Sequence, residues 1–186
     1  MVKYTHIKQR GKGHYAETFM IHATVRELKN AYNNHLKMYS AMQNPQPRTS
    51  AQYLEYSRSL LLVYAVECGL KCLILKKYGL ASTKSLLDRD DCKKLEDDGH
   101  NLIKLLEIVG FSDNSRNRAF HLPPLVVKQQ TLNARFKKYV DIEVYSSNYH
   151  EVLRYGVGIS NASTYNVIIS KLLFITEWIE KRIYLR

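Results

Sequence analysis

"YAVECGLKCLI" (residues 64–74) decides how this chain is read. It lies inside the most hydrophobic run of the sequence, Leu60 to Leu75, yet it carries Glu67 and, one helical turn later, Lys71. On a helix advancing about 100° per residue, Glu67 shares a face with Leu60, Val63, Leu70 and Ile74, and Lys71 is the only other polar group there. The opposite side carries Leu61, Leu62, Ala65, Cys72 and Leu73. A helix that is apolar all round belongs at the centre of a fold. A carboxylate at that depth is costly unless it is paired or hydrogen-bonded. An i,i+4 Glu–Lys pair contributes only about 0.2–0.5 kcal/mol on an exposed helix, too little to offset burial. Three arrangements remain open. The pair reaches solvent past the helix edge, or Glu67 receives a cation from another helix, with His100 and Arg154 as candidates, or Glu67 lines a cleft or a dimer seam.

Working outward, the periodicity predicts helices on both sides. Ile21, Val25, Leu28, Tyr32, Leu36 and Tyr39 recur at three- and four-residue steps, which predicts a helix from about residue 15. "QNPQPRTS" (43–50) ends it, because Pro45 and Pro47 bar continuation, and Thr49 or Ser50 can cap the next helix. That central helix runs over about 51–78, with Gly79 as its C-terminal cap and Lys76 and Lys77 at the negative end of its dipole. A short helix is expected near 84–88 or 90–96. "GHNLIKLLEIVGF" (99–111) reads as a compact amphipathic helix with His100 in its first turn. A fourth long helix is expected over about 124–145, on a stripe of Leu125, Leu132, Phe136 and Tyr139. "RYGVGISNAS" (154–163) reads as a loop, and a last helix over about 162–184 carries Ile168, Leu172, Ile175 and Trp178 or Ile179. No segment shows the two-residue alternation of a half-buried strand. The expected fold is all-α: an up-and-down bundle of about five helices forming one domain over 14–186, preceded by a basic arm at 1–13.

The chain has 186 residues, of which 45% are hydrophobic, enough for one domain with a real core and unlike a disordered chain. Its formal net charge of +11 favours an anionic partner, nucleic acid before an anionic membrane surface; the alternative is a basic surface that serves solubility alone. The opening "MVKYTHIKQRGKGHY" has no apolar run of signal-peptide length, and Leu60–Leu75 is too short and too charged to span a bilayer. With three cysteines, Cys68, Cys72 and Cys92, and no paired spacing, the expectation is buried inert thiols in a reducing cytoplasm, with no metal, no cofactor and no membrane association. "GKGH" (11–14) lacks the rest of a phosphate loop. "RFKKY" (135–139) and "EKRIYLR" (180–186) interleave basic and aromatic residues, as nucleic-acid surfaces do and as amphipathic helices also do. Lys128, Arg135 and Lys138 are the candidate nucleic-acid surface.

Taken in order, "YAVECGLKCLILKKYG", "GHNLIKLLEIVGF" and "YHEVLRYG" resemble the HEPN superfamily of helical nucleotide- and RNA-associated domains, over about residues 50–185. The resemblance implies a dimeric helical bundle in a toxin–antitoxin, abortive-infection or other antiviral defence setting. It implies RNA or a nucleotide as ligand, a homodimer, and a protein partner such as an antitoxin. It places His100, Arg154 and Tyr155 in a pocket beside Glu67 and Lys71. The family's ribonucleases use an arginine followed a few residues later by a histidine, without a metal. The spacing that fits here is Arg116-Asn-Arg-Ala-Phe-His121. In that role His121 would move protons near neutral pH and Arg116 would hold the charge that develops on phosphorus. The competing readings are a binding domain without catalysis and a helical scaffold or partner subunit.

Overall fold

The computed structural model describes residues 3–7, 18–43, 51–90, 92, 95, 99–111, 120–130 and 139–185. In order these form β1 (Lys3–Ile7), β2 (Thr18–His22), α1 (Val25–Ala41), α2 (Ala51–Lys77), α3 (Lys84–Leu87), α4 (Leu102–Val109), β3 (Leu125–Gln130), β4 (Tyr139–Val144), α5 (Tyr149–Arg154) and α6 (Ala162–Ile183). The molecule is mostly helical, with two small antiparallel hairpins.

α2 is the central element, as its all-round apolarity demands. Leu62, Val63, Ala65, Val66, Leu70, Ile74 and Leu75 are buried in it, and α1, α4, α5 and α6 pack around it. Gly69 marks the closest approach. A Cβ there would stand 2.8 Å from Tyr32 Cδ2 of α1 and 2.8 Å from Ile179 Cγ2 of α6, so only hydrogen fits between three helices. The same junction is fastened by Tyr32, whose buried hydroxyl donates to the Thr176 carbonyl of α6 at 2.9 Å. The last turn of α2 is tied down as well, because Lys76 Nζ donates to the carbonyls of Ile183 and Leu185. Gly79, at φ 62°, then turns the chain in a conformation that side chains rarely adopt.

α1 begins later than its stripe predicts. Residues 18–22 pair as β2 with β1, Lys3 opposite His22 and Ile7 opposite Thr18, so part of the segment expected as a basic arm is a strand. The helix starts at Thr24, whose side chain accepts from the Glu27 N–H while the Glu27 carboxylate accepts from the Thr24 N–H. This reciprocal capping box fixes the start at Val25.

The larger departure lies between Pro124 and Val144, where the sequence predicts a helix and the chain forms β3 and β4. The register pairs Leu125 with Val144 and Gln130 with Tyr139. Val126, Val127, Val140, Ile142 and Val144 are β-branched, so local propensity favours the strand. The stripe residues Leu132 and Phe136 lie outside the described residues. The loop after α5 completes this unit: Lys128 N–H donates to Gly158 O and Ser160 N–H to Val126 O, both at 2.8 Å. The hairpin is thereby held against α5.

Candidate functional site

Two of the polar groups expected around Glu67, Lys71 and His100, do meet it. Glu67 is 7% exposed and accepts on both oxygens. Lys71 Nζ, one turn on, donates to Oε1 at 2.6 Å. His100 Nδ1 donates to Oε2 at 2.9 Å from the segment before α4. Burial pushes the Glu67 carboxyl up, but the His100 hydrogen bond, and then the charge and hydrogen bond of Lys71, outweigh it and hold the group below the ordinary glutamate value. The buried carboxylate is therefore ionised and satisfied by partners on two elements.

Local structure explains how His100 reaches it. The N-cap of α4 is Asn101, whose side chain accepts from the Ile103 and Lys104 N–H groups. His100 thus precedes the cap, whereas the sequence places it in the first turn. Its ring is free of helical constraint and turns back onto α2, with its side chain 54% exposed. Lys71 passes close to the backbone here: its Nζ lies 3.9 Å from where a Cβ would stand on Gly99.

Arg154 does not reach Glu67. It closes α5, and its Nη2 donates to the Tyr64 hydroxyl on α2. Its guanidinium is held still more firmly cationic by that hydroxyl and then by Tyr155. Tyr64, Glu67 and Lys71 fall on one stripe of α2, so Arg154 docks one turn from the carboxylate. Tyr155, directly after α5, is 72% exposed.

The sequence does not single out two residues of the cluster. His150 on α5 is only 8% exposed, and its ring lies against that of His100, centroids 4.6 Å apart at 36°. Burial lowers its pKa, as do the neighbouring His100 and Arg154, against weaker pulls upward from Glu151 and Glu67. His35 on α1 packs against the Tyr64 ring at 5.7 Å, and burial lowers its pKa despite the Glu67 charge. The signal for His150 is its spacing, one turn before Arg154 in "YHEVLRYG"; both residues project toward α2 once that segment is helical.

Two of the three thiols fit the expected burial, Cys72 and Cys92, while Cys68 is partly exposed. Burial, followed by the Glu67 charge, pushes the Cys68 thiol up to about 11. No group of three potential metal ligands gathers among the described residues. Nor, among them, is any helix long and apolar enough to cross a membrane. His121 is exposed in the segment leading to β3. It follows Phe120, which stacks on Phe111 at 3.9 Å and meets Phe174 and Trp178 edge-on. Arg116, its expected partner, lies outside the described residues, as do Arg135 and Lys138. Lys128 is exposed on β3.

The arrangement presents an imidazole and a guanidinium anchored on α2, with the exposed Tyr155 phenol beside the guanidinium. A guanidinium with a fixed position binds anionic oxygen, an imidazole N–H can donate to it, and an exposed aromatic ring beside them can stack on a planar group. Searches against protein-family models, curated proteins and solved structures found no match to this chain.

Proposed function

We propose that this chain is a helical domain that interacts with RNA or a nucleotide, and that phosphate is met at the edge formed by His100, Arg154 and Tyr155. The observation that carries this reading is the Glu67 anchor. A buried carboxylate on the central helix holds His100 at 2.9 Å and Lys71 at 2.6 Å, beside an arginine docked on Tyr64. Burying that charge is costly in itself, and hydrophobic residues of similar volume would often be at least as stable there. Its use is to hold Lys71 and His100 in place, with His100 at the surface. The net charge of +11 adds long-range attraction for a polyanion. The resemblance to HEPN domains agrees with this reading and extends it to a homodimer in a toxin–antitoxin or other defence setting. Catalysis through Arg116 and His121 is left out of the proposal, since Arg116 lies outside the described residues.

Fluorescence anisotropy of a labelled single-stranded RNA, titrated with protein at increasing salt, tests the proposal. Affinity should fall steeply with salt. Removing the Arg154 contact in Arg154→Ala should flatten the log–log slope by about 0.7, and His100→Ala should weaken binding. A protein that leaves the RNA free at low salt, or variants that bind like wild type, would overturn it in favour of a helical scaffold.

A further inference from the structure

Beside the Glu67 cluster lies a groove of about 340 Å³, between α5 and the β3–β4 hairpin. α5 and its flanks contribute Asn148, Glu151, Val152 and Tyr155, spaced i, i+3, i+4 and i+7, so one continuous face of the helix lines it. The facing wall comes from the hairpin. Val127 and Ile142 are cross-strand partners, and Gln129 and Val144 lie two residues from one or the other, so all four share a side of the sheet. Tyr145 and Glu143 complete the rim, the Tyr145 hydroxyl donating to the Glu143 carboxylate at 3.3 Å. The groove therefore has an apolar floor, two exposed tyrosines and two carboxylates. Among the described residues its lining has no lysine, arginine or histidine, on a chain whose net charge is +11. Tyr155 belongs both to this groove and to the cationic edge at Arg154.

We propose that the groove receives the base of a nucleotide, guanine in preference to the others, with its phosphate turned toward Arg154 and His100. This rests on the nucleotide-binding reading of that edge and specifies its ligand. The volume lies at the small end of the range for ligand pockets, about 300–1,000 Å³. The valine floor and tyrosine walls suit a flat ring, since stacking on an aromatic side chain accepts any base. The carboxylates make the choice. Guanine alone presents two adjacent donors, N1–H and N2–H, which a carboxylate accepts as a pair. Adenine and cytosine set an acceptor beside their amino group, and uracil sets its single N–H between two acceptors; each would turn a lone pair toward the Glu151 or Glu143 oxygens. Glu151 is the better placed of the two, one turn before Tyr155 on the same helix face and steadied by the Asn148 amide, which donates to it at 3.2 Å.

Isothermal titration of the full chain with GMP, AMP, CMP, UMP, guanosine and agmatine tests this. GMP should bind at least about tenfold more tightly than the other three nucleotides, the difference of one charge-assisted hydrogen bond made or lost. Glu151→Gln should collapse that preference, Tyr155→Ala should weaken GMP binding, and Arg154→Ala should narrow the gap between GMP and guanosine. All three side chains are exposed, and circular dichroism is the check that the variants are folded. Equal binding of the four nucleotides, or a preference that survives Glu151→Gln, would overturn the proposal. So would agmatine binding as tightly as GMP, because its guanidinium offers similar donors and would mark the groove as a site for organic cations. If GMP shows no preference while RNA still binds with a steep salt dependence that Arg154→Ala flattens, this inference alone falls. If neither GMP nor RNA binds, the proposed function falls with it.

Discussion

Replacing Glu67 with glutamine tests the cluster at its centre. Glutamine keeps the volume and one acceptor oxygen but removes the charge that both Lys71 and His100 face. A hydrogen bond between charged groups contributes about 1.5–3 kcal/mol, and removing one member of a buried pair leaves the other uncompensated. The full sum of two such bonds is not expected, because His100 is more than half exposed and water recovers most of what it loses. Lys71 is mostly covered and recovers less. The net cost at neutral pH should be about 2 kcal/mol, or a fall in Tm of about 4–8 °C for a chain of this size. Urea unfolding followed by circular dichroism measures it directly. The pH dependence gives an internal check. The Glu67 carboxyl is held below its ordinary value in the folded state, so its contribution is complete above the unfolded value of about 4.3 and is lost as pH falls through the folded one. Wild type and Glu67→Gln should therefore converge in acid. The double variant Glu67→Leu/Lys71→Met should recover most of the loss, since it removes both charges together. Equal stability of wild type and Glu67→Gln at pH 7 would refute the claim that Glu67 is buried, ionised and satisfied by these partners.

The same structure makes three further outcomes measurable. His150 and His35 both have lowered pKa values, so the folded state prefers them neutral; stability present above about pH 6.5 should decline as pH falls below it, and His150→Phe should flatten that slope in urea titrations. Gly69→Ala would force a methyl to 2.8 Å from both Tyr32 and Ile179 and should cost about 1–3 kcal/mol, read as a lower Tm by calorimetry. Cys68 and Cys72 both have raised thiol pKa values, so in the native protein they should react with a disulfide reagent at pH 8 far more slowly than in urea.

How far the sequence carries the fold depends on which signals dominate locally. α2 and α6 are legible because three-and-four periodicity, a Gly79 cap and a long apolar run all agree. The β3–β4 hairpin hides behind Leu125, Leu132, Phe136 and Tyr139, which happen to fall at helical spacing, while the β-branched valines argue for strand. Its pairing with the 157–160 segment is long-range and has no local signature. β2 merges with the first helix in the same way, because Ile21 extends the apolar stripe, although Thr24 and Glu27 spell out a capping box. At the site, a carboxylate facing leucines demands a partner, and that demand correctly names His100. It does not name Tyr64 as the partner of Arg154, because a hydroxyl that docks an arginine looks, in sequence, like any tyrosine on an apolar helix.

The central claim is that the edge anchored by Glu67 meets phosphate. The most direct measurement is a histidine-ring nitrogen–proton correlation spectrum recorded while single-stranded RNA is added. The ring signals of His100 and His150 should move together as RNA binds, whereas His22, on β2 and outside the cluster, should stay in place. RNA that binds without moving the His100 and His150 signals would contradict it.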